Sequence, residues 1–445
     1  MPAPAAPPTR DHPGLPAVRG RLPAVLLMTG SCLPVLGAVL LAPVLPRMQD
    51  HFEGVTGSAA LVPLVLTVPA LSLALLAPFA GVVVDRLGRK RLLVAATVLY
   101  AVFGTVPLWL DSLHGILLSR VLVGVAEAAI MTACTTLIGD YYSGRVRDRY
   151  LALQTMCASA SATLFFVLGG ALGAAGWRAP FWLYAVGLLL APVMARALPN
   201  PTTAGLGALP NPTTAGLGAL PNPTTAGLGA LPNPTTAGLG VSTDSGPGPR
   251  PFPVRRMAGL CLLTVFGAVV FYTVPVEMSY LLDDLDVDST GVIGAVTAVA
   301  SAATVLGSVV FTRLTGDPRR RLPVLLLPCA AGFLVMGVAD GLPLLIAGAV
   351  LNCFGTGLLL PSLLTLAMSR LDYADRGRGI GLWTAAFFLG EFVCPLVLLG
   401  GKGALGSLAS AVALLGFVTL TVSAVLLPLA RRTAVPLPRQ VPEQR

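Results

Sequence analysis

Residues 81–91 read GVVVDRLGRKR. Asp85, Arg86, Arg89, Lys90 and Arg91 crowd five charges into seven positions of a chain that is only 11% charged. Apolar runs flank the stretch on both sides. About 20 apolar residues let a helix cross ~30 Å of hydrocarbon, and runs of that length recur along all 445 residues. The chain is 55% hydrophobic with a mean hydropathy of +0.81, above the ~45–50% apolar share of soluble domains. Alternating strands of about ten residues are absent, which argues against a transmembrane barrel. The pattern predicts an all-α membrane protein.

The seven cysteines (Cys32, Cys134, Cys157, Cys261, Cys329, Cys353, Cys394) all fall in apolar runs without CxxC spacing. They read as small apolar fillers, and no metal or cofactor site is expected. Residues 1–21 form a Pro-rich polar arm, expected to be disordered and cytoplasmic. The ~25 apolar residues after it exceed a signal-peptide core.

Cutting at charges and turn residues gives twelve candidate spans, at about 22–46, 58–82, 92–110, 113–139, 150–174, 179–197, 258–281, 289–312, 322–339, 343–368, 379–400 and 404–430. With both termini inside, 25 of the 29 Lys and Arg residues fall in inner segments. Only Arg47, Arg178 and Lys402 lie in outer loops, and Arg120 lies within a span. Basic residues concentrate on the cytoplasmic side of such proteins. The net charge of +9 therefore serves topology rather than nucleic acid, and a multi-pass protein of the plasma (inner) membrane is expected.

From Ala197 to Gly240 the undecamer ALPNPTTAGLG repeats four times in tandem. Two prolines per copy forbid a helix, so 198–256 reads as a flexible cytoplasmic linker. It divides a six-helix bundle at 22–197 from another at 257–430, and 431–445 form a tail. GVVVDRLGRKR after span 2 is echoed by SVVFTRLTGDPRRR after span 8, and DYYSGRVRDRYLAL after span 4 by DYADRGRGIGL after span 10. Two related six-span halves are a transporter architecture, with the substrate held near mid-membrane between them.

The motif Gly81-x-x-x-Asp85-Arg86-x-Gly88-Arg89-Lys90, at the loop between spans 2 and 3, resembles the signature of the major facilitator superfamily. Arg120-x-x-x-Gly124 in span 4, Gly176-Trp177-Arg178 before span 6 and GLWTAAFFLGE in span 11 agree with it. The likeness covers everything except the arm, the repeats and the tail. It is closest to the twelve-span drug and small-molecule exporters. It implies two pseudo-symmetric six-helix bundles working by alternating access. It also implies that Asp85 latches the outward-open state against the N-terminus of span 11, beside Arg376 and Arg378. Gly81 and Gly88 permit the sharp turn this needs.

Four ionisable residues fall inside spans: Arg120, Glu127, Glu277 and Glu391. Burying each unpaired costs at least ~2.5–3.5 kcal/mol, so pairing or function is expected. Arg120 matches the superfamily's span 4 arginine, linked there to proton coupling, although Val123 stands where a glutamine is often found. It lies about two turns, or ~10 Å, outward of Glu127 on nearly one face. Gly124 between them leaves room for a neighbour or substrate. Glu127 and Glu391, both near mid-depth, are the candidate proton carriers. Glu277, near the outer end of span 7, either binds a cation or faces the outer vestibule. Phe165, Phe166, Phe271, Tyr272, Trp383, Phe387 and Phe388 are candidates for an apolar cavity lining.

Alternating access with proton-coupled efflux of a small amphipathic molecule is the function expected of a monomeric, non-enzymatic chain. Proton-coupled uptake is the alternative within transport, since span 5 lacks a Gly-Pro signature of antiporters. From other classes come a membrane sensor and a prenyltransferase-like enzyme using LDDLDVD at 282–288. The absence of any Walker A sequence argues against an ATP-driven pump.

The repeat composition cannot bury enough apolar surface to fold, and loop closure costs little more for a longer spacer. Cutting four copies to one should therefore leave membrane insertion and transport near wild type. The readouts are membrane abundance and whole-cell transport.

Overall fold

The structure, a computed structural model, describes residues 21–79, 87–200, 254–314, 317–371 and 376–432. Most of the repeats, the arm and the tail, together with Gly81, Asp85 and Arg86, lie outside the described residues.

Among the described residues twelve helices are long and apolar enough to cross a membrane: Leu22–His51, Ser58–Leu76, Arg89–Leu108, Leu113–Tyr141, Gly144–Gly173 and Ala179–Ala197, then Met257–Asp283, Thr290–Phe311, Pro318–Gly337, Leu342–Ser369, Arg378–Leu405 and Leu408–Pro428. They are spans 1 to 12. No strand occurs among the described residues. Helices satisfy every internal backbone group within the segment, which hydrocarbon demands.

Several boundaries differ from expectation: spans 1, 2 and 11 end at His51, Leu76 and Leu405 rather than near 46, 82 and 400. Span 5 begins at Gly144 rather than near 150, because the charged turn GRVRDR continues the helix beyond the apolar stretch. The helix of span 7 starts at Val254, inside the segment assigned to the linker. Charges end an apolar run without ending a helix.

Each half repeats one packing scheme. Span 4 packs against spans 2 and 3, and span 3 also packs against span 6. Span 10 likewise packs against spans 8 and 9, and span 9 against span 12. The match extends to single atoms. Ser72 Oγ of span 2 donates to Val121 O of span 4 at 3.1 Å. Ser308 Oγ of span 8 donates to Gly357 O of span 10, also at 3.1 Å. Small residues make these approaches possible. A methyl on Gly124 would meet Pro69 and Ser72, and one on Gly357 would meet the carbonyl of Thr304.

The halves meet where span 5 packs on span 8 and span 2 on span 11, pairs that exchange under the same six-span offset. The face bearing the loops after spans 2, 4, 8 and 10 is the basic face; the other is the far face. At the far face Arg47 at the end of span 1 donates to Gly173 O at 2.9 Å and to Asp288 O at 3.3 Å, the latter in the other half. Beside it Thr290 Oγ1 donates to Gly170 O at 2.9 Å, and Gly170 lies directly against Gly294. The far-face ends of spans 1, 5 and 8 are thus bound together.

Gly357→Val would drive a branched side chain into the span 8 backbone. Overpacking of this kind costs about 1–3 kcal/mol. The variant should melt earlier in detergent than Gly400→Val, whose added methyl meets nothing within 4 Å. Fluorescence thermal unfolding measures the difference.

Candidate functional site

A cavity of about 1000 Å³, counted to its open mouth, lies between the halves. Its first-half wall includes Pro69, Glu127, Ala158 and Phe166. Its second-half wall includes Phe271, Tyr272, Ser301, Phe388 and Glu391. Among the described residues no Lys or Arg lines it. The expected Glu127, Glu391, Phe166, Phe271 and Tyr272 therefore share one space.

How are the charges held? The main-chain ladder of span 1's first helix, Leu22–Val39, ends with Leu40 N on Leu36 O. A 3-10 turn, Ala42–Val44, follows before the helix resumes at Leu45–His51. Pro43 has no N–H to continue the ladder, and carbonyls past the last helical bond need other partners. Two side chains supply them. Arg120 Nη2 donates to Gly37 O at 3.0 Å, and Tyr272 Oη, from the other half, donates to Ala38 O.

Arg120 is 0% exposed. Its Nε donates to Val65 O of span 2 at 3.1 Å, and its guanidinium lies 5.0 Å from the Tyr184 ring centroid, a cation–π placement. Tyr184 lies tilted against Tyr100, their centroids 5.1 Å apart, and Tyr100 donates to Leu33 O at 2.7 Å. The charge is met by carbonyl dipoles and an aromatic face rather than by a carboxylate. Arg120 Nη1 and Glu127 Oε1 are both buried without a hydrogen-bond partner. The Glu127 carboxyl rests against the α-carbon of Gly37, where any methyl would overlap it. Arg120 and Glu127 thus engage the same glycine, one at its carbonyl and the other at its α-carbon.

Other expected cavity residues lie elsewhere. Gly124 seats Pro69 and Ser72 of span 2, so its free space serves a neighbouring helix. Trp383 and Phe387 are 0% exposed and stack with centroids 5.8 Å apart. Phe387 touches Phe271 and Phe388, so the pair backs the aromatic wall rather than forming it. Glu277 is 5% exposed and is not among the residues that line the cavity. It lies within electrostatic reach of Lys402. The acidic stretch 282–288 ends span 7 at the far face, where Asp288 O receives Arg47.

Of the loop motif, Gly88 precedes the span 3 helix at φ 82°, a conformation that favours glycine. Arg89 pairs with Asp140 at the end of span 4, within its own half. Lys90 is partly exposed on the first turn of span 3. Asp85, and with it the expected latch, lies outside the described residues. Arg376 opens the span 11 helix and Arg378 is exposed. Nearby, a methyl on Gly381 would come 3.8 Å from Ala77 O and the Pro78 α-carbon, so spans 2 and 11 are adjacent at the basic face.

Sequence reasoning missed Gly37, Arg47 and the hydroxyl of Tyr272. Pro43 in an otherwise continuous apolar run was the available sign of a break in span 1.

Arg120→Lys keeps the charge but loses the fork that reaches two carbonyls at once. Hydrogen bonds from charged groups contribute about 1.5–3 kcal/mol each. The variant should unfold at lower temperature than wild type, and Arg120→Ala lower still, by fluorescence melting.

The chain matches the Major Facilitator Superfamily profile over residues 27–221 and 258–445. It is 31% identical over 169 residues to the tetracycline resistance protein, class C, of Escherichia coli, covering 37% of this chain and 41% of that protein. It is 27% identical over 163 residues to quinolone resistance protein NorA of Staphylococcus aureus, covering 37% and 41%. These alignments span about two fifths of the relatives' lengths. Among solved structures, the D-xylose-proton symporter superposes with a TM-score of 0.70 at 12% identity, covering 91% of this chain and 96% of that one. The human organic anion transporter MFSD10 does so with a TM-score of 0.60 at 18% identity, covering 93% and 100%. At such identities the likeness is one of fold. With the profile matched in both halves and twelve spans packed in two repeating bundles, this chain belongs to the Major Facilitator Superfamily, whose members are transporters and not enzymes.

Proposed function

We propose that this transporter exports a small amphipathic molecule across the plasma membrane in exchange for protons, with Glu127 and Glu391 as the proton carriers and both termini in the cytoplasm. The observation that supports this reading is the placement of the two acids. Glu127 comes from the first half and Glu391 from the second, at 2% and 4% exposure, on the walls of one apolar and aromatic cavity. A carboxylate in such surroundings needs a proton or a counter-charge. Each acid therefore holds a proton when the cavity is otherwise empty and releases it when its surroundings turn polar. Arg120 supplies a fixed positive charge that favours the ionised form of Glu127 when the two approach.

The aromatic faces of Phe166, Phe271, Tyr272 and Phe388 suit an amphipathic ring system. Export rather than uptake is favoured by the resistance proteins among the relatives, and the basic loops place the basic face inside. A latch formed by Asp85 with Arg86, Arg89, Lys90, Arg376 and Arg378 is proposed to hold the basic face closed in the outward-open state. A monomer suffices, because both walls of the cavity come from one chain.

Proteoliposomes with an imposed pH gradient test the proposal, with tetracycline and a fluoroquinolone as first probes. Wild type should move protons when a probe is added. Glu127→Gln should lower coupled movement more than about tenfold, equivalent to ~1.4 kcal/mol, and Glu391→Gln by a smaller factor. Exchange at the wild-type rate in both variants would place the coupling site elsewhere.

A further inference from the structure

Span 1 links two features that the transport reading leaves separate, the Arg120–Glu127 pair and the closed far face. Its break presents consecutive carbonyls, Gly37 O to Arg120 and Ala38 O to Tyr272. Nine residues beyond Ala38, Arg47 binds Gly173 O and Asp288 O and so joins the halves at the far face. Between them Leu40 O lies against Gly169 of span 5 with no room for a side chain. The segment from Gly37 to Arg47 is therefore gripped at one end by the charged pair and at the other by the far-face contacts.

We propose that Tyr272 is a positioning residue that makes closure of the far face depend on whether Arg120 and Glu127 are paired. This rests on the reading of Glu127 as a proton carrier. In the structure the pair is open, with Arg120 Nη1 and Glu127 Oε1 both lacking partners. The carboxyl lies on the Gly37 α-carbon, and the Tyr272 tie to Ala38 O is made. This arrangement suits a neutral acid. When the proton passes from Glu127 to water in the cavity, the carboxylate is drawn to the free Nη1. It must then leave the seat it shares with Gly37, and Arg120, already bonded to Gly37 O, moves with it. The 37–38 turn shifts, the Ala38 carbonyl leaves the Tyr272 hydroxyl, and the hold of the second half on span 1 is lost. The far face then opens. Reprotonation from that side restores the tie and closes it.

The direction fits an exporter that takes its proton from outside. The titratable and charged groups facing Glu127 are Arg120 on its own span, Tyr100, Tyr184, Tyr272 and Glu391. Those facing Tyr272 are Glu127, Glu391, Cys394 and Arg120. Among these, Glu391 is the other acid to be controlled.

The test uses the full chain in lipid nanodiscs, with its seven cysteines replaced and spin labels at Glu53→Cys and Asp340→Cys. Both sites are exposed and lie at the far face, one in each half. Electron–electron distance measurements compare mildly acidic with mildly alkaline buffer. The wild-type distance should lengthen in alkaline buffer, and Glu391→Gln should retain that response. Glu127→Gln should stay short at both pH values. Tyr272→Phe keeps the ring against Phe271 and removes only the hydroxyl. It should give the long distance at both pH values, an effect that a ring serving packing alone would not produce. A wild-type distance indifferent to pH overturns the inference. A shift that survives Tyr272→Phe also overturns it and leaves the Glu127 reading standing. A shift that survives Glu127→Gln overturns that reading and the inference with it.

Discussion

The guanidinium of Arg120 sits in the hydrocarbon layer with no exposure, and what compensates it organises the first half. An arginine there needs partners that do not themselves need water. Main-chain carbonyls meet this demand best where a helix has been interrupted, because there they lack their usual N–H donor. Span 1 is interrupted between Val39 and Ala42, and Gly37 O becomes available. Span 2 contributes Val65 O, close to Pro69, whose missing N–H leaves the same carbonyl without its usual helical donor. Pro69 and the break in span 1 thus free the two carbonyls that hold the charge.

The same break lets the second half take hold of the first. Tyr272 reaches Ala38 O one residue from the carbonyl bound by Arg120, so a local defect in one helix is shared between the bundles. Glycines set how near the other elements come. Gly169 admits Leu40 O, and Gly170 and Gly294 bring spans 5 and 8 into backbone contact. Close small-residue contacts of this kind need no specific side-chain bonds and separate without leaving buried charges. They suit a surface that must open and close.

The cavity follows from this assembly. Aromatic rings from both halves and two acids face one space because pseudo-symmetry brings spans 4, 5, 7 and 11 around it. Trp383 and Phe387 stand behind that wall, holding Phe271 and Phe388 in place by ring contacts. Lining the cavity and backing its wall are therefore divided between neighbouring aromatics of a single helix.

The sequence by itself determined the class of protein, the twelve spans and their two-fold repetition, because hydrocarbon thickness and the expense of buried charge act on composition and spacing directly; the superfamily was legible separately, through the resemblance of the 81–90 loop motif. It also singled out Arg120, Glu127 and Glu391, since a charge in an apolar run is conspicuous without coordinates. Only the tertiary structure decided which aromatics face the cavity. Phe387 and Phe388 are adjacent in a helix that is apolar on all sides, so no periodic contrast separates the packed residue from the lining one. The same holds for Gly124, whose empty side turned out to receive Pro69. Glu277 was conspicuous too, but its burial away from the cavity depends on the packing of its span. The roles of Gly37, Ala38 and Tyr272 were hidden for a further reason. They depend on main-chain carbonyls released by a break and reached from more than 200 positions away, a relation that exists only once both halves have closed on span 1.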